Sequence, residues 1–437
     1  MHSNKDFVAS KLELNDSELK EIPVLQKSIK ERQNLQLFGP NFNADTRNRL
    51  LIKLHHEARS RKFAREAQVL PSFEEIEAFK SALVGRTKPP DVDGIEMIYY
   101  DDYKAAVQSA ASSLRSFLTA KLFFDLQLLC DWDSYGRVPV NCIINYIVKR
   151  REKIKLLISL HWYDSSYQGY LTEKDLSDYL VEQMLPRISS LSEIVDHDSP
   201  IKKYYLCIAT RKFFFMLDQK NLKKLRIIDI AASGLLEEML GVDDVEKNES
   251  IAENGGTSAL WFSKENCENI QKMYVDLDID SNGLLNYEEL KNFRHLAKFF
   301  ILRLFETNQT YDRDQIDLRG FCDLLLAIDN KTDISSLAFH FRLLDVDGDG
   351  YLNSSDLQFF YRDIVELYGE IYPSADQLPP FMYIKDEIFD MCHPSDPTRI
   401  SFKELVDSGN GGTIVGMLTD LNSFLAYEFR EDVAGEE

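Results

Sequence analysis

Two acidic stretches of twelve residues, 278–289 and 345–356, carry side chains that could bind a metal ion. Each places oxygen-bearing side chains at positions 1, 3, 5 and 9, a glycine at position 6 and an aliphatic residue at position 8. A hard divalent cation needs six to eight oxygens around one point, and a short loop supplies them when alternate residues face inward around a sharp turn. The spacing is that of an EF-hand loop and predicts two calcium sites.

The first loop offers a complete set of oxygen ligands. The predicted ligands are the side chains of Asp278, Asp280, Asn282 and Glu289 and the main-chain carbonyl of Leu284. Glu289 stands at position 12, where a glutamate binds calcium through both carboxylate oxygens. This loop is therefore the stronger of the two predicted sites.

The second loop departs from the pattern at its last position. Its predicted ligands are Asp345, Asp347, Asp349, Asp356 and the main-chain carbonyl of Tyr351. Asp356 is one methylene shorter than the glutamate expected at position 12, so binding through two oxygens is harder to reach. We therefore expect weaker calcium binding here, with magnesium as the alternative ion.

Amphipathic helices must hold these loops in place. Apolar residues recur at helical spacing on both sides of each loop, and Ser263 is placed to cap the helix that enters the first one. Around the first loop they are Ile270, Met273, Tyr274, Leu277, Leu290, Phe293 and Leu296. Each loop is thus predicted to lie between two helices.

Incomplete copies of the loop pattern recur along the chain. Together with the two loops above there are seven copies, and the residues at their position 8 are Val138, Leu171, Leu225, Leu285, Ile316, Leu352 and Ile400. A single hand leaves a strand edge exposed, so hands pair through these strands. We predict that loop 278–289 pairs with the hand around Ile316, and loop 345–356 with the hand around Ile400.

The predicted fold is mostly α: two lobes of paired EF-hand-like helix-loop-helix units with very short strands, plus a helical or disordered N-terminal arm. The predicted segments are an arm at 1–85, a degenerate lobe at 86–242, an acidic linker at 243–257, a calcium-binding lobe at 258–420 and a tail at 421–437. The arm holds a helical stretch at 50–64 but few apolar residues with which to fold alone.

Composition limits the classes of partner. The 437 residues carry a net charge of −21, which argues against nucleic acid as a partner. The sequence shows no secretory signal and no long apolar run, so we expect no membrane association and a cytoplasmic location. The six cysteines are scattered without a CxxC pair, as expected of buried thiols in a reducing compartment.

Motifs typical of catalysis are missing from the sequence. The string that begins at His55 has Ser60 where a zinc protease needs a second histidine, and the glycine-rich run at 409–413 lacks the lysine of a phosphate-binding loop. We therefore predict no catalytic residues and no organic cofactor.

Six blocks resemble, in order and spacing, the B-double-prime regulatory subunits of protein phosphatase 2A, most of all the gamma branch. They are FLTAKLFFDL (117–126), YDSSYQGYLTEKDL (163–176), RKFFFMLD (211–218), the segment 276–290, KDEIFDM (385–391) and DLNSFLAYEFRED (420–432). The resemblance covers residues 90–435. It implies a non-catalytic subunit that docks on the HEAT-repeat scaffold subunit, approaches the catalytic subunit and selects phosphoprotein substrates, with calcium tuning the assembly.

The resemblance also implies a role at centrosomes, in the cytoskeleton and in cell division, and it adds the centrosome and the nucleus to the expected locations. Only the ligands of loop 278–289 match the family's metal site well. For scaffold contact, we expect the first lobe and residues 213–217. The alternative function is a calcium sensor or buffer acting on other protein targets, and a calcium-regulated enzyme is a third. Co-purification with and without a chelator distinguishes them.

Overall fold

The structure, a computed structural model, describes residues 44–87, 94–129, 135–191, 200–243, 261–291, 293–307, 314–374 and 377–430. These residues are mostly helical, as predicted, and their strands are two or three residues long. None of the described helices is both long and apolar enough to cross a lipid bilayer. The described chain divides into two compact units, residues 1–169 and 170–437.

The first unit contains six described helices and one short sheet. The helices are α1 (Ala44–Gln68), α2 (Phe73–Val84), α3 (Tyr100–Ser109), α4 (Ser112–Arg115), α5 (Ala120–Leu129) and α6 (Val140–Trp162), and the strands are β1 (Met97–Ile98) and β2 (Val138–Pro139). Helix α1 contains the predicted helical stretch 50–64 and packs on α6.

The second unit holds the remaining described elements. Its helices are α7 (Glu173–Tyr179), α8 (Pro200–Leu217), α9 (Ile227–Ala232), α10 (Leu235–Leu240), α11 (Lys264–Leu277), α12 (Tyr287–Leu290), α13 (Lys298–Thr307), α14 (Leu318–Asp329), α15 (Ile334–Leu344), α16 (Ser354–Ile371), α17 (Phe381–Cys392), α18 (Phe402–Asp407), α19 (Gly411–Thr419) and α20 (Leu421–Glu428). Its strands are β3 (Tyr170–Thr172), β4 (Lys224–Arg226), β5 (Leu285–Asn286), β6 (Gln315–Ile316), β7 (Tyr351–Asn353) and β8 (Arg399–Ser401). After α7 come a short π-helix at Leu180–Met184 and short 3₁₀-helices at Leu185–Arg187 and Ser189–Leu191.

The described strands form four antiparallel pairs, which confirms the predicted pairing of hands. Leu285 lies opposite Ile316, and Leu352 lies opposite Ile400. The degenerate hands pair in the same way, because Leu171 lies opposite Leu225 in β3–β4. Val138 lies opposite Ile98, around which the sequence predicts no hand. All eight side chains are buried, so each pair closes a strand edge and adds to a core.

Both predicted terminal segments extend into the cores. Helix α2, which was assigned to the N-terminal arm, buries Ile76, Phe79 and Leu83 in the core of the first unit. Helix α20, which was assigned to the tail, buries Leu421 and Phe424. Apolar residues at helical spacing anchor both segments, so the arm and tail are shorter than predicted. Residues 1–43 and 431–437 lie outside the described residues.

The division between units also differs from the predicted one. It falls inside the loop 164–175, because β3 pairs with β4 and α8 packs on α14 and α11 within the second unit. Of the predicted linker 243–257, only residue 243 lies within the described residues. The carboxylate of Asp243 accepts hydrogen bonds from the amides of Ser189 (2.7 Å) and Ser190 (3.0 Å), so it belongs to the packed structure.

Two further predictions need correction. The helix expected to leave loop 278–289 and reach Leu296 ends at Leu290. It could not continue to Leu296, because Arg294 and His295 adopt left-handed backbone conformations with φ of 50° and 54°. In the segment 213–217, Phe213 and Phe214 are buried in the second unit. Those two rings are therefore not available for contact with a scaffold protein.

Candidate calcium sites

The first loop lies between α11 and α12, and local sequence sets both helices. Ser263 Oγ accepts a hydrogen bond from the amide of Asn266 (3.1 Å), which caps α11 as predicted. Helix α12 begins with a reciprocal cap: Asn286 Oδ1 accepts from the amide of Glu289 (3.2 Å), and Glu289 Oε2 accepts from the amide of Asn286 (2.9 Å). The position-12 carboxylate is thereby held at the exit of the loop.

Hydrogen bonds inside the first loop fold it around Asp278. Its carboxylate accepts from the amides of Asn282 (3.1 Å) and Gly283 (2.9 Å). Ser281 and Gly283 have φ of 56° and 79°, and this left-handed backbone turns the chain sharply. Position 6 favours glycine because a side chain with a Cβ atom is strained at that φ. The hydroxyl of Tyr274 donates to the carbonyl of Gly283 (2.7 Å) and ties the turn to α11.

Three predicted ligands of the first site converge. One carboxylate oxygen from each of Asp278, Asp280 and Glu289 lies within 4.8 Å of the others. Asn282 reaches the same cluster, since its Nδ2 donates to Asp280 (2.9 Å). Three carboxylates this close repel one another, and a divalent cation between them removes the repulsion. The oxygen donors present, with the carbonyl of Leu284 beside them in sequence, fit a calcium ion.

The second loop repeats this arrangement around Asp345. Its carboxylate accepts from the amides of Asp349 (3.2 Å) and Gly350 (2.9 Å). Oxygens of Asp345, Asp347 and Asp349 lie within 4.8 Å of one another. The amide of Tyr351 donates to Asp349 (2.8 Å), which places this residue at the start of β7 as position 7 requires.

Asp356 does not join the carboxylate cluster of the second loop. Its two oxygens accept from the amides of Val346 (3.1 Å) and Asn353 (2.9 Å). Glu289 accepts from the equivalent amides of the first loop, yet its longer side chain also reaches the cluster. Burial raises the pKa of Asp356, its two hydrogen bonds from amides oppose that change, and the nearby loop carboxylates raise the pKa further.

We expect Asp356→Glu to raise calcium affinity at the second site about tenfold, because one added methylene lets the position-12 carboxylate act as a ligand. Isothermal titration calorimetry with calcium measures the change. Asp407→Glu adds the same methylene, also without a change of charge, at an exposed position outside the loop and serves as the control. Equal calcium affinities for the Asp356→Glu variant and the wild type would contradict the importance of side-chain length at position 12.

Support for the second loop comes from a residue that the sequence analysis missed. Arg303 on α13 donates from Nη2 to the carbonyl of Asp345 (2.8 Å) and from Nε to the carbonyl of Leu343 (3.2 Å). These carbonyls end α15, so the guanidinium caps the helix that enters the loop. Arg303 lies 42 residues before Asp345, and no motif around the loop could have identified it.

The degenerate loops keep the backbone of the intact ones. In loop 218–229, Asp218 accepts from the amides of Leu222 (2.8 Å) and Lys223 (2.7 Å), the same positions 5 and 6 as in the intact loops. Asn221 and Lys223 are left-handed, with φ of 51° and 56°. The predicted degenerate hand is therefore confirmed as an EF-hand-like turn, although a lysine occupies the glycine position.

We expect Lys223→Gly to stabilise the protein by about 0.5–1 kcal/mol. A left-handed lysine costs roughly 1–2 kcal/mol, and the extra flexibility of glycine in the unfolded chain offsets about half of the gain. Urea unfolding followed by circular dichroism measures the difference. Lys220→Gly, at an exposed position of the same loop without positive φ, is the control and should not stabilise. A loss of stability in Lys223→Gly would show that the left-handed lysine is not strained.

Comparison with known proteins identifies relatives of this chain. No protein-family model matches it. The human B'' gamma regulatory subunit of serine/threonine-protein phosphatase 2A is 34% identical over 393 residues, which cover 89% of this chain and 83% of the human protein. The B'' gamma protein of zebrafish (Danio rerio) is 33% identical over 87% of this chain and 80% of its own length.

One more distant relative and one solved structure are also similar to this chain. The probable B'' protein TON2 of Arabidopsis thaliana is 26% identical over 87% of this chain and 79% of its own length. A solved structure described as a PP2A PR70 holoenzyme is 19% identical, with a TM-score of 0.49, and matches 59% of this chain and 92% of its own. That structural similarity is too weak to carry an argument about this chain.

Proposed function

Because the chain belongs to the B'' family of regulatory subunits of protein phosphatase 2A, we propose that it binds calcium and docks on the scaffold and catalytic subunits, where it directs the choice of phosphoprotein substrates. The single observation that supports the calcium part is the convergence of Asp278, Asp280 and Glu289 at one loop. A non-catalytic role fits the relatives, which are named as regulatory subunits.

In this proposal calcium acts through Glu289, the last residue of loop 278–289. Glu289 accepts hydrogen bonds from two main-chain amides, that of Ile279 early in the loop and that of Asn286 just before α12. Calcium would draw the same carboxylate toward Asp278 and Asp280, and the attached helix would follow. Binding of the ion would thereby change the surface that the second unit offers to a partner.

The test is co-purification of the tagged full-length chain from cells in calcium or in chelator, with partners identified by mass spectrometry. The proposal expects a HEAT-repeat scaffold and a phosphatase catalytic subunit, in larger amounts with calcium. Recovery of other targets in their place would favour the alternative, a calcium sensor or buffer. The same experiment with fractionated cells tests the proposed cytoplasmic, centrosomal and nuclear locations.

A further inference from the structure

The degenerate loop that begins at Asp164 contains a buried carboxylate surrounded by donors. The Asp164 side chain is fully buried, and it accepts hydrogen bonds from Gly169 N (2.7 Å) and Ser166 Oγ (2.8 Å). Tyr167 and Gly169 are left-handed, with φ of 58° and 83°. Positions 1, 4 and 6 therefore have the geometry of the intact loops, while Ser166 and Gln168 at positions 3 and 5 bring no charge.

A cation from the protein itself lies at this loop. Arg59 on α1 donates from Nη1 to Asp164 (2.8 Å) and from Nη2 to the carbonyl of Tyr167 (2.8 Å). Its guanidinium carbon also lies 5.5 Å from the centre of the Tyr167 ring. The arginine side chain is 23% exposed, so the ion pair is largely removed from solvent. A carboxylate, a carbonyl and an aromatic face together suit a guanidinium.

The ionisation state of Asp164 is consistent with an ion pair to Arg59. Burial alone raises the pKa of Asp164, but the hydrogen bonds from Gly169 and Ser166 and the charge of Arg59 outweigh it and hold the pKa below its usual value. The carboxylate is thus ionised and paired at neutral pH. With one carboxylate among its first six residues, the loop lacks the oxygens for calcium, yet it still holds a positive charge.

We propose that residues 164–169 form a guanidinium-binding site whose ligand is Arg59, and that this side chain takes the place that calcium has in an intact loop. The attachment of α1 to the first unit is then independent of calcium. Phe63, one turn further along α1, is buried, and the centres of its ring and of the His161 ring on α6 are 4.9 Å apart. Apolar contact and the ion pair therefore hold the same helix.

Hydrogen exchange of the full-length chain, read by mass spectrometry, tests the proposal. In Arg59→Ala, amide exchange in residues 57–68 is expected to rise at least about tenfold, since two charge-assisted hydrogen bonds are lost. In the wild type, exchange there should be the same in calcium and in chelator. Methylguanidinium added to Arg59→Ala should restore part of the protection, whereas methylammonium should not.

Arg61→Ala is the matched control, because Arg61 lies on the same helix and its Nε donates to Glu57 on that helix rather than to the loop. It removes the same charge and should leave exchange unchanged. Unaltered exchange around Ile76 and Phe79 shows that the variant core is folded. The proposal is overturned if Arg59→Ala exchanges like the wild type, or if calcium protects α1 in that variant.

Discussion

Glu289→Gln is expected to lower calcium affinity at the first site about 100-fold in calorimetric titration. The carboxylate at position 12 supplies two of the calcium ligands, and the substitution removes its charge while its size is kept. The side chain can still accept a hydrogen bond at the start of α12, so the fold should survive. In co-purification, the variant should lose the calcium-dependent part of partner recovery.

Glu288→Gln provides the control for this prediction. Glu288 is the exposed neighbour of Glu289 and pairs with Lys291 on the protein surface, outside the carboxylate cluster. Both variants lose one negative charge within the same turn, so a general effect of net charge would lower their affinities equally. If Glu289→Gln titrates like the wild type, the cation does not bind between Asp278 and Glu289.

Acidification is expected to destabilise the protein through His340, by about 2 kcal/mol at pH 5. This histidine is fully buried on α15, where its ring stacks on Phe300 with centroids 5.5 Å apart. Its Nδ1 lies 2.8 Å from the carbonyl of Ser336, which can only accept, so Nδ1 carries the hydrogen. Its Nε2 is buried without a hydrogen-bond partner among the described residues, and a proton there would be unpaired.

The direction of the effect follows from the shift in pKa. Burial lowers the pKa of His340 from 6.5 to about 4. Between these values the unfolded chain binds a proton that the folded chain does not. The free energy of unfolding therefore falls by about 1.4 kcal/mol for each pH unit below 6.5, and this contribution is constant above that value.

Urea unfolding of wild type and His340→Asn at pH 7.5 and pH 5, in chelator, measures this effect. Asparagine can donate to the Ser336 carbonyl but has no proton to gain, so the variant should lose about 2 kcal/mol less than the wild type on acidification. His295→Asn replaces an exposed histidine in a left-handed conformation that asparagine tolerates, and it should behave like the wild type. Equal losses in all three proteins would contradict the prediction.

The sequence alone predicted the loops, their ligand types and the pairing of hands. These features depend on spacing along the chain: an oxygen at every second position, a glycine at position 6 and an apolar residue at position 8. The pairing of Leu285 with Ile316 and of Leu352 with Ile400 followed because each strand edge needs one neighbour. Residue spacing along the chain is enough to predict such features when the interacting groups lie within one loop or on neighbouring hands.

Only the tertiary structure decided which other groups complete the loops and where the units divide. Arg303 reaches Asp345 from 42 residues away, and Arg59 reaches Asp164 from 105 residues away, so no local pattern links them. The sequence predicts helix α2 as part of a polar arm, whereas in the structure its apolar face is buried in the core of the first unit. Such contacts depend on how distant segments pack together, since burial is a property of the assembled core and not of one segment.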